Sequence, residues 1–400
     1  MNKVHEMNVR IRIVGNLDDA RNEIVKIGCD PAGVKLMMPK AVHRTIKIEK
    51  IDSWAANIMK QNMLSAGGDV AISRNALLGK QKTDALIMGT IKQYESLINK
   101  LKMQPFGLKN IADEIEERLT VFERKKYQKL KIGKYSLGIG KRTYIMGILN
   151  VTPDSFSGDG ITNIENAVEK AKKMVEEGAD IIDVGGESTR PFSKPISELD
   201  EWKRVGPVLK KLMKEVDVPV SIDSYKPMIV KKALDSGASI INDISGLRNK
   251  EMVKTAAKYD VPVIIMHMKG TPRNMQKKPE YRDVVGEIFS FFRERIEYAE
   301  NNSVGKIIID PGIGFGKNLE HNLEIIRRLK EFKSLGKPLL VGPSRKSFIG
   351  QILDLPAGKR LEGTLASAAL CINNGADIIR VHDVKECNMV RRFMDAVVRK

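Results

Sequence analysis

From residue 141 to residue 400 the chain repeats one pattern. Apolar, β-branched runs stand at 144–150, 181–185, 218–223, 238–244, 261–267, 306–311, 338–342 and 376–382. Charged, amphipathic segments of helical length separate them; the longest runs from 344 to 375, and 385–398 supplies a last helix. Short β-branched runs read as buried strands, and their alternation with helices reads as parallel strands joined by crossovers. Eight such units in about 250 residues fit a (β/α)8 TIM barrel. A doubly wound open sheet is the alternative. Eight regular units and the lack of a dinucleotide-binding glycine fingerprint weigh against it.

The repeat also shows as an echo. Gly178-Ala179-Asp180-Ile181-Ile182-Asp183 returns as Gly237-Ala238-Ser239-Ile240-Ile241-Asn242 and again as Gly375-Ala376-Asp377-Ile378-Ile379-Arg380. The glycine ends the preceding helix in a left-handed cap. The small residue permits a tight turn, and the two isoleucines enter the barrel wall. The sixth residue, toward the far end of the strand, differs each time. Scaffold is repeated while one site-facing position varies.

Residues 1–135 read as a small α/β accessory domain whose role the sequence leaves open. Val9 to Val14 alternates like a half-buried strand, and Arg44 to Ile51 does so again. Asp52-Ser53 can cap a helix that runs through Leu64 and stops at Gly67-Gly68. A short apolar run at 84–88 precedes a helix from Thr90 to about Met103. Beyond Pro105-Phe106-Gly107, the residues Leu108, Ile111, Ile115, Leu119 and Phe122 mark one face of another helix. Ser65 to Asp69 reads as a turn, with anion binding as the alternative. The basic segment 124–134 joins this domain to the barrel, residues 141–400.

Composition narrows the class. Hydrophobic residues at 42% and charged residues at 30% describe an ordinary soluble protein. No apolar run approaches the roughly 18 residues that span a bilayer. Met-Asn-Lys-Val-His-Glu lacks the apolar core of a signal peptide. Cys29, Cys371 and Cys387 have no CxxC spacing, as expected of reduced thiols in a cytoplasmic protein. The formal charge of +18 invites a nucleic-acid reading. Lysines interspersed with acids, and aromatics at only 5%, argue against one. A diffuse basic field also favours small anionic substrates.

Polar residues collect where the barrel strands end. The first strand ends at Asn150 and the second leads into Gly185-Gly186-Glu187-Ser188-Thr189-Arg190-Pro191. The third ends in Asp223, the fourth in Asn242-Asp243 and the fifth in Met266-His267-Met268. Asp310-Pro311-Gly312 with Gly314-Phe315-Gly316-Lys317 follows the sixth, Ser344-Arg345-Lys346-Ser347 the seventh, and Arg380-Val381-His382-Asp383 closes the eighth. Each alone is modest evidence; eight of eight is not expected of a bare scaffold. Asp223, Asn242 and Asp310 offer the acceptors and the amide that a 2-amino-4-oxo pterin edge needs, with Lys346 in reach of the ring. Arg190, Arg345, Arg380 and His382 could surround a diphosphate, with Asn150 on a bridging metal. Asp310 could instead only cap the turn at Pro311.

Residues 141–400 resemble the dihydropteroate synthases. The resemblance rests on Leu149 to Ser157, Gly186 to Pro191, the Asp310 and Gly314 to Lys317 segments, Ser344 to Ser347 and Arg380 to Asp383. It implies an enzyme that condenses 6-hydroxymethyl-7,8-dihydropterin diphosphate with p-aminobenzoate, releasing diphosphate. It implies pterin contacts from Asp223, Asn242, Met266, Asp310 and Lys346, with Asp223, Asp310 and Lys346 also serving catalysis. It implies diphosphate contacts from Arg190, Arg380 and His382, and magnesium (Mg2+) on Asn150. Thr189, Arg190, Pro191, Phe315 and Ser347 would form the aminobenzoate pocket, the loops at 151–160 and 187–195 would close over the reaction, and a homodimer would be the assembly. Phe192 stands where the family usually has glycine, so a different arylamine is an alternative. A pterin-dependent corrinoid methyltransferase is another, with no need of the Ser-Arg-Lys-Ser segment.

Overall fold

The computed structural model describes residues 8–79, 82–105, 107–123, 128–152, 160–188 and 195–399. They form two units, Met1–Arg124 and Lys125–Lys400.

The first unit runs α1 (Leu17–Lys26), α2 (Pro31–Ala41), β1 (His43–Asp52), α3 (Ser53–Ser65), β2 (Asp69–Ile72), β3 (Lys82–Thr90), α4 (Ile91–Lys102) and α5 (Leu108–Glu123). Its strands form an antiparallel sheet in the order β1-β3-β2. Thr90 and Gln93 close a capping box that starts α4. Val70, Ala85 and Ile87 of the sheet pack with Met59, Met63, Tyr94 and Leu97. The stripe on α5 joins this same core: Leu108 and Ile115 are buried in it, with Ile111 and Leu119 against it. Gly67 and Gly68 spend their N–H groups on the carbonyls of Leu64 and Met63, so the segment from Ser65 is a helix-ending turn. The strand expected from Val9 to Val14 is absent. Those residues form no regular element, and Val9, Ile11 and Ile13 are 83, 95 and 79% exposed. Alternation makes a strand only where a neighbour takes the backbone groups and a core takes the apolar face.

The second unit opens with a hairpin, β4 (Gln128–Ile132) and β5 (Tyr135–Ile139). The strands that follow are β6 (Tyr144–Asn150), β7 (Ile181–Gly185), β8 (Val220–Asp223), β9 (Ile240–Asp243), β10 (Val263–Met266), β11 (Ile307–Asp310), β12 (Leu340–Val341) and β13 (Ile378–Val381). Each lies within one of the apolar runs. Helices α6 (Gly160–Glu176), α7 (Glu198–Glu215), α8 (Pro227–Asp235), α9 (Lys250–Tyr259), α10 (Val284–Asn301) and α11 (Leu319–Arg327) join them in turn. Both α12 (Ser347–Leu353) and α13 (Leu361–Asn373) precede β13, and α14 (Val384–Val398) ends the chain. The parallel sheet has the order β11-β10-β9-β8-β7-β6-β13-β12, and a bridge between Ile309 and Leu339 closes it into a barrel.

The strand period of two explains the echo. Ile181, Ile240 and Ile378 face inward with Ile264, Ile308 and Leu340 and form the lowest interior layer. Ile182, Ile241 and Ile379 face outward into the core shared with the helices. The next inward position is the sixth residue: Asp183, Asn242 or Arg380. Leu130, Ile132, Leu137 and Ile139 of the hairpin pack against the isoleucine layer and close the floor of the barrel. The hairpin therefore belongs with the barrel. The division falls at Arg124 rather than at 135, and much of the segment read as a linker is β4. In β4 the lysines at 129 and 131 alternate with Leu130 and Ile132, and that apolar face is what the open barrel end needs. No helix among the described residues is long and apolar enough to cross a membrane.

Candidate active site

One layer above the isoleucines, the interior turns polar. Asp223, Asn242, Met266, Asp310, Phe315, Gly342, Lys346 and Arg380 line a single cavity. Every residue expected to hold a pterin is among them. Asp223, Asn242, Met266 and Asp310 come from the carboxyl ends of β8 to β11, and Arg380 from β13. Phe315 and Lys346 reach in from the loops after β11 and β12. This is where barrels of this type build their sites.

Arg380 organises the layer. Its Nε donates to Asp183 Oδ2 and its Nη2 to Asp223 Oδ2, each at 2.6 Å. Asn242 Nδ2 donates to the same Asp183 oxygen at 3.0 Å. The three variable positions of the echo thus meet at one oxygen of Asp183. Asp183 is missing from the residues expected from sequence, although the echo had marked its position as site-facing. Burial opposes the charge of Arg380, but the two carboxylates outweigh it and its affinity for the proton is raised. Burial drives the Asp223 carboxyl well above the usual carboxylate range, against the pull of Arg380.

Asp310 caps a turn and lines the cavity at once. Its Oδ1 accepts from Gly312 N at 2.8 Å, capping the turn after Pro311, while the side chain lines the cavity. Burial raises its proton affinity as well. The loop it starts needs its glycines. At Gly312 (φ +67°) a Cβ would lie 2.1 Å from the His267 carbonyl oxygen, and at Gly316 (φ +61°) 2.5 Å from that of Lys269. Lys317 props this loop from beneath: its buried ammonium donates to Phe315 O at 2.9 Å and His267 O at 3.2 Å. Burial pulls the Lys317 amine down to about 7. Phe315 is held so that the Lys346 Nζ lies 4.1 Å from its ring centroid. Burial, reinforced by Arg380, lowers the Lys346 ammonium to about 8.

Among the described residues, the others expected are not part of the cavity lining. His382 follows β13, its Nδ1 3.0 Å from Ser344 Oγ. Burial first, then the charge of Arg380, lowers its imidazole to about 3, so it is neutral at physiological pH. Arg345 is exposed and paired with Asp383 rather than turned into the cavity. Ser347 lines a different groove, of about 630 Å³, with Gln276, Lys317, Asn322, Phe348 and Gln351. Asn150 ends β6, half-buried. Thr189, Arg190, Pro191 and Phe192 lie outside the described residues, as do 153–159 of the first loop. At the flanks of 189–194, Lys226 Nζ donates to Glu187 at 2.5 Å, to Glu201 at 2.7 Å and to the Ile196 carbonyl at 2.8 Å. Among the described residues no group of three or more His, Cys, Asp and Glu could hold a metal ion.

The family model described as pterin binding enzyme matches residues 146–382. A dihydropteroate synthase of Synechocystis is 46% identical over 275 residues, covering 68% of this chain and 95% of that protein. A probable bifunctional folylpolyglutamate synthase/dihydropteroate synthase of Halobacterium salinarum is 40% identical over 379 residues. That match covers 93% of this chain, and so most of the first unit, but 45% of the relative. Among solved structures, a Clostridium difficile dihydropteroate synthase crystallised in the presence of pteroic acid is 50% identical, with a TM-score of 0.63. It covers 66% of this chain and is itself covered completely. A barrel with this cavity at its mouth is thus a pterin-binding enzyme, and the chain belongs to the dihydropteroate synthase family.

Proposed function

We infer that this chain condenses 6-hydroxymethyl-7,8-dihydropterin diphosphate with p-aminobenzoate to give 7,8-dihydropteroate and diphosphate. The observation that carries the reading is the cavity itself. Acceptors on Asp223, Asn242 and Asp310 face donors on Lys346 and Arg380 around a space bounded by Met266 and Phe315. A flat 2-amino-4-oxo heterocycle is the complement of that set.

In the reaction the bond between the pterin methylene carbon and the diphosphate oxygen breaks, and the oxygen keeps the electron pair. The methylene cation left behind is shared with the electron-rich ring. Asp223 and Asp310, whose proton affinity burial raises, favour it electrostatically in their ionised forms, and groups held in place beforehand need no reorganisation. The arylamine lone pair then forms the new C–N bond, and the proton leaves the nitrogen for solvent or diphosphate. Phe315 and Lys346 border the arylamine's approach, and Thr189, Arg190, Pro191 and Ser347 are the further contacts we assign to it. Arg190, Arg380 and His382 are assigned to the departing diphosphate, His382 as a neutral donor.

Magnesium fits this site in one sense only. Asn150 offers a single neutral oxygen, which suits an ion that comes with the diphosphate and keeps several waters. Such an ion, when bound, neutralises charge on the leaving group. The protein is assigned to the cytoplasm, in keeping with its free cysteines, Cys29, Cys371 and Cys387. It is assigned as a homodimer, because Leu370, Met389, Phe393 and Val397 leave apolar surface exposed on α13 and α14. The decisive test incubates purified protein with both substrates and follows dihydropteroate by chromatography. Formation of product supports the reading, and its absence with magnesium present overturns it.

A further inference from the structure

We propose that Asp183 sets the donor–acceptor sense of the ligand cavity by holding the Asn242 amide in one of its two orientations. The proposal deepens the pterin reading and rests on it. An asparagine side chain is nearly symmetric in shape, so packing alone does not decide which end carries the oxygen. Chemistry decides here. Asp183 Oδ2 serves as an acceptor, because the Arg380 Nε, which can only donate, already points its N–H at it from 2.6 Å. Only the NH2 end of Asn242 can therefore turn toward it, and the Nδ2 does so at 3.0 Å. The Asn242 carbonyl oxygen is left for whatever occupies the cavity that this residue lines.

Asp183 itself is fully buried, and its other oxygen, Oδ1, has no hydrogen-bond partner among the described residues. A scaffold position could avoid that cost with a third isoleucine. Asp183 is thus a positioning residue: it acts through Asn242 and Arg380. The ligand class it selects presents N–H donors to Asn242, as a 2-amino-4-oxo pteridine does. A 2,4-diamino pteridine exchanges a ring N–H for an acceptor nitrogen and should be disfavoured.

The test measures binding by calorimetry of 6-hydroxymethylpterin and of 2,4-diamino-6-hydroxymethylpteridine to the full-length protein. The wild type should prefer the first. Asp183→Asn, which can donate or accept and so frees the Asn242 amide to rotate, should reduce that preference on the order of tenfold. Asn242→Ala should lose the preference, and adding Asp183→Asn to it should change the preference no further. If Asp183→Asn weakens both ligands equally, Asp183 only balances the charge of Arg380 and the proposal is wrong. Should that variant fail to fold, Asp183→Ser, which leaves room for a water, carries the same comparison. A wild type that binds neither pteridine removes the pterin reading itself; an unchanged preference in the variant removes only this proposal.

Discussion

The Lys346 ammonium sits 4.1 Å from the centre of the Phe315 ring, so a charge from the loop after β12 rests on an aromatic face from the loop after β11. Both residues also line the cavity. The pair joins the pocket assigned to the pterin to the approach assigned to the arylamine, and removing either partner should disturb both.

Lys346→Ala should therefore weaken pterin diphosphate binding and nearly abolish product. Loss of one oriented charge in a buried site is worth about 2–4 kcal/mol in the transition state. Calorimetry with the pterin and steady-state kinetics measure the two effects separately. Unchanged pterin affinity would contradict the assignment and favour a methyltransferase.

The lowered proton affinity of Lys346 predicts an alkaline limb. The ammonium prevails below about 8, so affinity that depends on it is present there and lost as pH rises through that value. Lys346→Met should remove the limb from the pH profile of pterin binding. His382 should add no limb between pH 6 and 7 to kcat/KM, since its imidazole is held down to about 3 in the free enzyme.

Asn150→Ala and His382→Ala should each reduce turnover while leaving the fold intact, because both stand above the packed layers of the barrel. An oriented contact to the departing anion is worth about 2–4 kcal/mol. If both variants kept wild-type kcat/KM with magnesium present, the diphosphate assignment would fail. Unchanged circular dichroism and melting temperature are the control.

Truncation should depend on where it cuts. A chain beginning at Gln128 keeps the hairpin and should fold and retain activity. One beginning near Lys134 loses β4, and with it the buried Leu130 and Ile132. At roughly 1.5–3 kcal/mol for each aliphatic side chain, that exposes about 3–6 kcal/mol of burial at the barrel floor. Thermal melts of the two chains should differ by many degrees. Equal melting temperatures would show that the floor does not need its stopper.

The barrel could be read from the sequence because its strands alternate by a rule that does not depend on distant partners. Each β-branched run is flanked by its own helix signals, and all eight runs hold strands. The cavity followed, since the chemistry stands at strand ends. Asp183 was harder: its position in the echo marked it, but a carboxylate whose hydrogen-bond partners among the described residues are Asn242 and Arg380 resembles no ligand group in sequence. Val9 to Val14 misled because alternation says nothing about whether a neighbouring strand exists. The first two helices of the first unit carried signals that hydrophobic periodicity missed. Asn16 caps α1, and Asp30 caps α2 with Pro31 at its first position. The hairpin at 128–139 was obscured by its lysines, since its apolar residues have meaning only against the isoleucine layer.

That plugged floor turns the barrel interior into a cul-de-sac. Whatever enters by the loop-bearing mouth must leave by it. A pterin seated where it is assigned, above Ile181, Ile240 and Ile308, would then have to be the first molecule in, since an arylamine already in the doorway would obstruct it. The product, joined through the pterin, has to back out along the route by which its two parts arrived. Traffic order would be imposed by the architecture, before any difference in affinity comes into play.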